Sequence, residues 1–352
     1  MPEPTATKPA IMAASGAAGL AGLSPAYFGL VMATGIVSVA ADMHGWPGAA
    51  RLLFGLNIGF YAMLWLLYIL RLWRHPRAVL ADFCDHARAS GFFTSIAATA
   101  VLGTQALLLG HSPTTAIALG ALAILLWLLL TYPIYAVLTV RADKPPLARG
   151  LNGGWLLAVV ATQSLAVLGA LLTDSFRPAW RAELDFFALS MWLWGSMLYI
   201  WMIALIFYRY LFFPLPPDDL TPPYWINMGA MAISALAGGV MIENAADSPL
   251  LQSMLPFIKG MTILYWATGS WWIPMLLLLG AWRYLFRRFP FSYSPLYWGA
   301  VFPLGMYAAC TDQIARAMDL PFLAPLSNVF LLVAFMAWAV TMAGLLLQLA
   351  RR

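Results

Sequence analysis

The sequence predicts an all-α integral membrane protein, and three observations carry that prediction. Of its 352 residues 62% are hydrophobic and 9% charged, against about 25% charged in an ordinary soluble domain. The mean hydropathy is +0.81. The apolar residues form long unbroken runs rather than the alternation of an outer-membrane barrel. With 19 Lys and Arg and 14 Asp and Glu, the chain cannot cover a water-soluble enzyme of this size with charge. Two cysteines, Cys84 and Cys310, exclude a disulfide scaffold.

A spanning helix needs about 20 mostly apolar residues. Residues 1–23, rich in Ala, Gly, Pro and Thr, read as a flexible tail without the charged and apolar regions of a signal peptide. Residues 24–352 hold ten candidate spans, beginning with 25–42 and 49–73. The third and fourth, 90–110 and 114–139, meet at a tight turn around His111, Ser112 and Pro113. The polar link from Arg141 to Asn152 leads to the fifth and sixth, 153–173 and 184–211. The link from Pro214 to Pro223 leads to the seventh, 225–242. The eighth, 254–286, is too long for one straight span, so a break or kink is expected at Pro256 and Pro274. The ninth and tenth are 296–313 and 323–350. Short outer turns and longer inner links describe a series of helical hairpins.

Ten spans place both termini on one side. Of the 19 Lys and Arg, only Arg51, Arg177, Arg181, Lys259 and Arg316 fall on the opposite side, leaving 14 on the terminal side. The positive-inside rule therefore puts both termini in the cytoplasm. The net charge of +5 follows from these topology signals. No basic stripe with interleaved aromatics is present, so no nucleic-acid partner is implied; the partner is the lipid bilayer.

Odd-numbered spans are short and rich in small or hydroxyl residues, and even-numbered ones are longer and more apolar. The pattern reads as inner odd helices jacketed by even ones, either around a pore or as ordinary small-residue packing. No ionisable residue falls near mid-span, unlike the usual ion-coupled carrier. Thr34, Ser38, Ser95, Thr99, Gln163, Asn227 and Ser234, with Thr94, Thr162 and Thr268 beside them, are neutral polar residues within spans, and the first seven would line a path or clasp neighbouring helices. Glu243 and Asp312, at outer helix ends, would be either vestibule acids that bind protons or merely solvated charges. Trp298 to Gly305 places Phe302 before Pro303, between Gly299 and Gly305. Proline removes a helical donor and biases the residue before it away from helical geometry. Such a Phe either plugs a pore or packs against a neighbour. The sequence carries no HExxH or GxSxG motif and no facing histidine pair, so no metal or other cofactor is implied.

Four segments together resemble the tellurite-resistance/dicarboxylate transporter family, whose members include yeast malate transporters, fungal sulfite exporters and slow-type anion channels of plants. They are Pro25-Ala-Tyr-Phe-Gly-Leu-Val-Met-Ala-Thr-Gly-Ile, Phe83-Cys-Asp-His-Ala-Arg, Pro223-Tyr-Trp-Ile-Asn-Met-Gly-Ala and Tyr297-Trp-Gly-Ala-Val-Phe-Pro-Leu-Gly. The resemblance implies ten helices as five hairpins in quasi-five-fold arrangement, odd helices lining a central pore. It also implies a homotrimer in a bacterial inner membrane, small-anion transport and a pore gate at Phe302 mounted on Pro303 and Gly305. The substrates would be C4-dicarboxylates such as malate, or tellurite- and sulfite-type oxyanions. A proton-coupled dicarboxylate carrier using the outer acids is the alternative. A membrane enzyme or electron-transfer subunit is a third reading.

Overall fold

The computed structural model describes residues 19–290 and 293–351, so most of the tail expected over 1–23 lies outside the described residues. Five hairpins pair an inner with an outer helix. They are α1 (Gly29–Met43) with α2 (Pro47–Arg74), and α3 (Phe93–Leu108) with α4 (Pro113–Val140). The third is α5 (Leu157–Leu172) with α6 (Arg181–Phe212), and the fourth α7 (Ile226–Asn244) with α8 (Leu255–Ala281). The last is α9 (Trp298–Ala317) with α10 (Ala324–Ala350). The all-α membrane fold is thus borne out, with inner and outer helices as the sequence pattern suggests.

Proline explains the hairpin turns. Pro47, Pro113, Pro178, Pro249 and Pro321 each open the helical segment that follows an outer turn. The first helical position tolerates Pro because its amide needs no ladder partner, and the residue before it leaves the helical region.

The inner helices close a ring: α1 packs on α3, α3 on α5, α5 on α7, α7 on α9 and α9 on α1. They run parallel. At the α7/α9 contact, Gly229 faces Pro303 and Gly239 faces Gln313; at α9/α1, Gly29 faces Trp298 and Gly305 faces Ile36 and Val37. Burial follows this arrangement. The most apolar windows of α1, α3, α5 and α7 are 78, 78, 94 and 94% buried, whereas those of α2, α4, α6, α8 and α10 are 17, 28, 39, 22 and 17% buried. Among the described residues nine helical stretches are apolar and long enough to cross a membrane. The exception is α9, which carries Asp312, Gln313 and Arg316 in its last turns. Enclosed by α1, α7 and α10, it does not need the apolar surface that lipid demands of the others.

Each inner helix begins in a 3₁₀ turn: Pro25–Phe28, Ala89–Phe92, Gly153–Leu156, Pro222–Trp225 and Pro295–Tyr297. Consecutive turns touch around the full circle and form a collar at the N-terminal end of the ring. Ser24, Asn152 and Ser294 cap three of them, accepting from the amides of Ala26 (3.3 Å), Gly154 (2.8 Å) and Leu296 (3.3 Å). At Gly153 a β-carbon would stand 2.6 Å from the Pro223 carbonyl oxygen and 2.7 Å from Tyr224 Cα. Backbone cannot swing aside as a side chain can, so Gly153→Ala is expected to cost about 1–3 kcal/mol, read as a lowered unfolding temperature of the purified protein.

Buried arginines tie the outer helices to this collar. Arg71, 1% exposed, donates to the Ala21 carbonyl at 2.9 Å and to Asp82 Oδ2 at 2.6 Å. Arg88 also pairs with Asp82, at 2.5 Å. Arg209 donates to the Leu151 carbonyl at 2.9 Å, to Asp219 Oδ2 at 2.8 Å and to the Tyr224 hydroxyl.

Two local expectations need correction. The eighth span does not break: Pro256 sits in the first turn of α8, where proline is accommodated, and the helix runs through Pro274 to end in a π turn over Trp282–Phe286. Phe302 also stays helical, because α9 is continuous through Pro303. Gly229 makes this feasible, since a β-carbon there would lie 2.6 Å from Pro303 Cγ. The pyrrolidine ring thus rests directly on the α7 backbone.

Candidate functional site: a cavity lined by Phe302

Inside the collar lies a cavity of about 30 Å³ to which every inner helix contributes. That is room for about two water molecules. Its walls include Gly29 and Met32 of α1, Thr94 of α3, Leu157 of α5, Ile226 of α7, and Gly299 and Phe302 of α9. Gly29, Thr94, Leu157, Ile226 and Gly299 each follow the start of a collar turn by four or five residues. Five quasi-equivalent positions therefore converge on one space. Phe302 is 1% exposed, and its ring forms part of that wall. Pro303 cannot donate to the Gly299 carbonyl, the ladder partner of its position. Gly305 lets α9 approach α1: a β-carbon there would be 3.0 Å from Ile36 Cγ2 and 3.1 Å from Val37 Cγ2. None of the residues lining the cavity is ionisable.

The seven neutral polar residues are buried, and most turn toward outer helices. Thr34 Oγ1 accepts from Trp338 Nε1 of α10 at 2.9 Å. Ser38 donates to the Ala50 carbonyl of α2 at 2.7 Å. Thr99 donates to the Ser95 carbonyl at 2.7 Å and accepts from the Tyr61 hydroxyl of α2 at 2.9 Å. Gln163 donates to the Trp192 carbonyl of α6 at 3.0 Å, and Asn227 to the Tyr210 hydroxyl of α6 at 3.3 Å. Ser95 and Ser234 donate to carbonyls of their own chain segments, Phe92 and Ala230, each at 2.8 Å.

Several of these bonds belong to a repeating set. At each junction an outer-helix aromatic donates to an oxygen of the next hairpin's inner helix: Tyr61 to Thr99, Trp127 to Thr162 (3.0 Å), Trp192 to the Ser234 carbonyl (2.8 Å), Trp266 to Thr311 (3.0 Å) and Trp338 to Thr34. Five latches thus encircle the ring. The outer acids stand apart from the cavity. Glu243 is exposed, and Asp312 pairs with Arg316 at 2.9 Å.

The collar end of the molecule is basic. Besides Arg71, Arg88 and Arg209, it carries Arg141, which donates to the Cys84 carbonyl at 2.5 Å. His86 lies nearby, and its pKa is lowered first by burial and then by Arg141. Lowering from 6.5 leaves the imidazole neutral at pH 7. The positive ends of five helix dipoles converge on the same end.

Residues 22–346 match the family described as voltage-dependent anion channel, SLAC1. The uncharacterized transporter MJ0762 of Methanocaldococcus jannaschii is 24% identical over 326 residues, covering 90% of this chain and 92% of its own. The uncharacterized membrane protein Rv1735c of Mycobacterium tuberculosis is 37% identical over 153 residues, 44% of this chain and 77% of its own. A sulfite efflux pump, SSU1 of Arthroderma benhamiae, is 24% identical over 207 residues, 55% of this chain and 52% of its own.

Proposed function

Since the chain belongs to the voltage-dependent anion channel family and is a multi-pass anion transporter or channel, we propose that it is a passive pore for small anions closed at Phe302. The supporting observation is a cavity, walled by all five inner helices, that abuts the Phe302 ring. Its uncharged wall suits an ion that must not bind too tightly to leave. Five converging helix N-termini and a basic collar face raise the local anion concentration. Selection rests on that field and on the width at the ring rather than on one charged residue. The substrates are sulfite-type oxyanions or C4-dicarboxylates such as malate; the similarity to a sulfite efflux pump supports the first. The excess of Lys and Arg on the terminal side supports cytoplasmic termini in a bacterial inner membrane. The assembly is a homotrimer with one pore per chain.

The test is flux of radiolabelled malate and of sulfite into proteoliposomes at clamped voltage, with pH equal or unequal across the membrane. Flux that follows only the electrochemical gradient of the anion is the expected result. Flux that requires a pH gradient would overturn the passive pore and direct attention to Glu243 and Asp312.

A further inference from the structure

The collar arginines follow a rule that one of them breaks. Arg71 and Arg209 lie near the ends of outer helices, and each reaches back to the carbonyl before its own hairpin's collar turn. Each also meets a carboxylate from the connector that follows: Asp82, 11 residues on, and Asp219, 10 residues on. Arg283 repeats the first half of the pattern. It sits just past α8 and donates to the Leu220 carbonyl before the turn at Pro222–Trp225. The second half is missing. The positions 10 and 11 residues on are Tyr293 and Ser294, and no Asp or Glu occurs anywhere from 248 to 311. Among the described residues Arg283 has no ion-pair partner.

Exposure does not relieve the deficit. Arg141, on the second hairpin, is exposed and water can satisfy it, whereas Arg283 is 7% exposed. Its guanidinium lies over the rings of Phe289 (4.2 Å) and Tyr284 (5.1 Å). Its buried Nε–H has no acceptor among the described residues, as is also true of Arg209, but Arg209 has the Asp219 carboxylate beside it. A charge buried without a counter-charge is costly. Beside this arginine is a cavity of about 80 Å³, bounded by Leu220–Pro222, Trp225, Gly280, Tyr284, Tyr297 and Ala300. The space equals about five to eight water-sized spheres. Thr221, Trp225, Tyr284 and Tyr297 are partly exposed, so the cavity communicates with the surface.

We propose that this cavity binds one exogenous anionic group of phosphate or carboxylate type, which supplies to Arg283 the counter-charge that Asp82 and Asp219 supply to its counterparts. A planar guanidinium with an unfilled Nε–H is suited to such an oxyanion. Two sources carry this chemistry: a free anion and the headgroup of an anionic lipid. The site lies outside the Phe302 cavity, and its test reads binding rather than flux.

The full-length protein, delipidated in neutral detergent, is titrated with inorganic phosphate at constant ionic strength, and separately with phosphatidylglycerol or phosphatidylcholine. One anionic probe is expected to raise the unfolding temperature saturably by about 3 °C or more. The rise is expected to vanish in Arg283→Gln and persist in Arg287→Gln/Arg288→Gln, which removes two exposed charges. A response to phosphate assigns a free anion. A response to phosphatidylglycerol alone, with one lipid retained per chain in native mass spectra and lost in Arg283→Gln, assigns a headgroup. Should Arg283→Gln not fold, Arg283→Lys keeps the charge but lacks the Nε edge, and at least about fivefold weaker binding is expected. No saturable rise with either anionic probe, a rise unchanged in the Arg283 variants, or a rise lost with Arg287 and Arg288 would each overturn the proposal.

Discussion

Phe302→Ala is expected to raise anion flux at least about tenfold, the equivalent of lowering the barrier by about 1.4 kcal/mol. Phe302, with Trp298, is a bulky α9 contribution to a cavity shared by five helices. Removing it joins the cavity to the space the ring occupied and favours wetting of the constriction. Pro303 rests on Gly229, and Gly305 lies against Ile36 and Val37, so the backbone that carries the ring is held independently of the ring itself. The measurement compares proteoliposome flux of variant and wild type at equal protein, after the unfolding temperature shows that the variant is folded. A ring that merely packs predicts the opposite pair of results: stability reduced by about 3–5 kcal/mol, the usual cost of truncating a core Phe, and no gain in flux.

The second large effect concerns stability. Asp82→Ala is expected to destabilise the fold by about 3–5 kcal/mol, because it strands a guanidinium that cannot reach water. Arg71 is 1% exposed, and its other acceptor is the Ala21 carbonyl. Replacing both partners, Arg71→Met with Asp82→Leu, is expected to recover most of the loss, since no buried charge then remains. Arg88, a third exposed at its side chain, can turn to solvent in that variant. Unfolding of the purified proteins in detergent checks both. If the double variant is no more stable than the single one, the cost lies in lost anchoring of the collar rather than in the uncompensated charge.

How much was legible in the sequence differs between fold and site. The hairpins were legible because proline after each outer turn and the length of each apolar run are local signals. The eighth span misled because a proline in the first turn and one inside the helix look alike without their surroundings. The direction of polar side chains was not legible. Met32 lines the cavity, while Thr34, two residues or about 200° further around α1, bonds to α10. Inner helices are buried on all sides, so no amphipathic stripe records which face meets the lumen. Of the cavity residues Gly29, Thr94, Leu157 and Ile226 only Thr94 carries a polar side chain, so polarity does not mark the set. Their common offset from Pro25, Ala89, Gly153 and Pro222 was the available signal, visible once the five hairpins are aligned on one another. Phe302 could be placed because a proline and two glycines mark its segment, and because that segment resembles a known family.

The latch between Trp338 and Thr34 joins positions 304 residues apart. During synthesis α1 emerges first, yet its partners α9 and α10 are made last. Until then the face of α1 that will meet Pro303–Gly305 has no protein neighbour, and the three earlier latches hold an open arc. Closure is therefore the terminal event of assembly, and it spans nearly the whole chain, the kind of distant pairing that slows folding. A ribosome that stops before residue 298 leaves an arc, with one side of α1 and one side of α7 facing lipid, and no enclosed path for an ion.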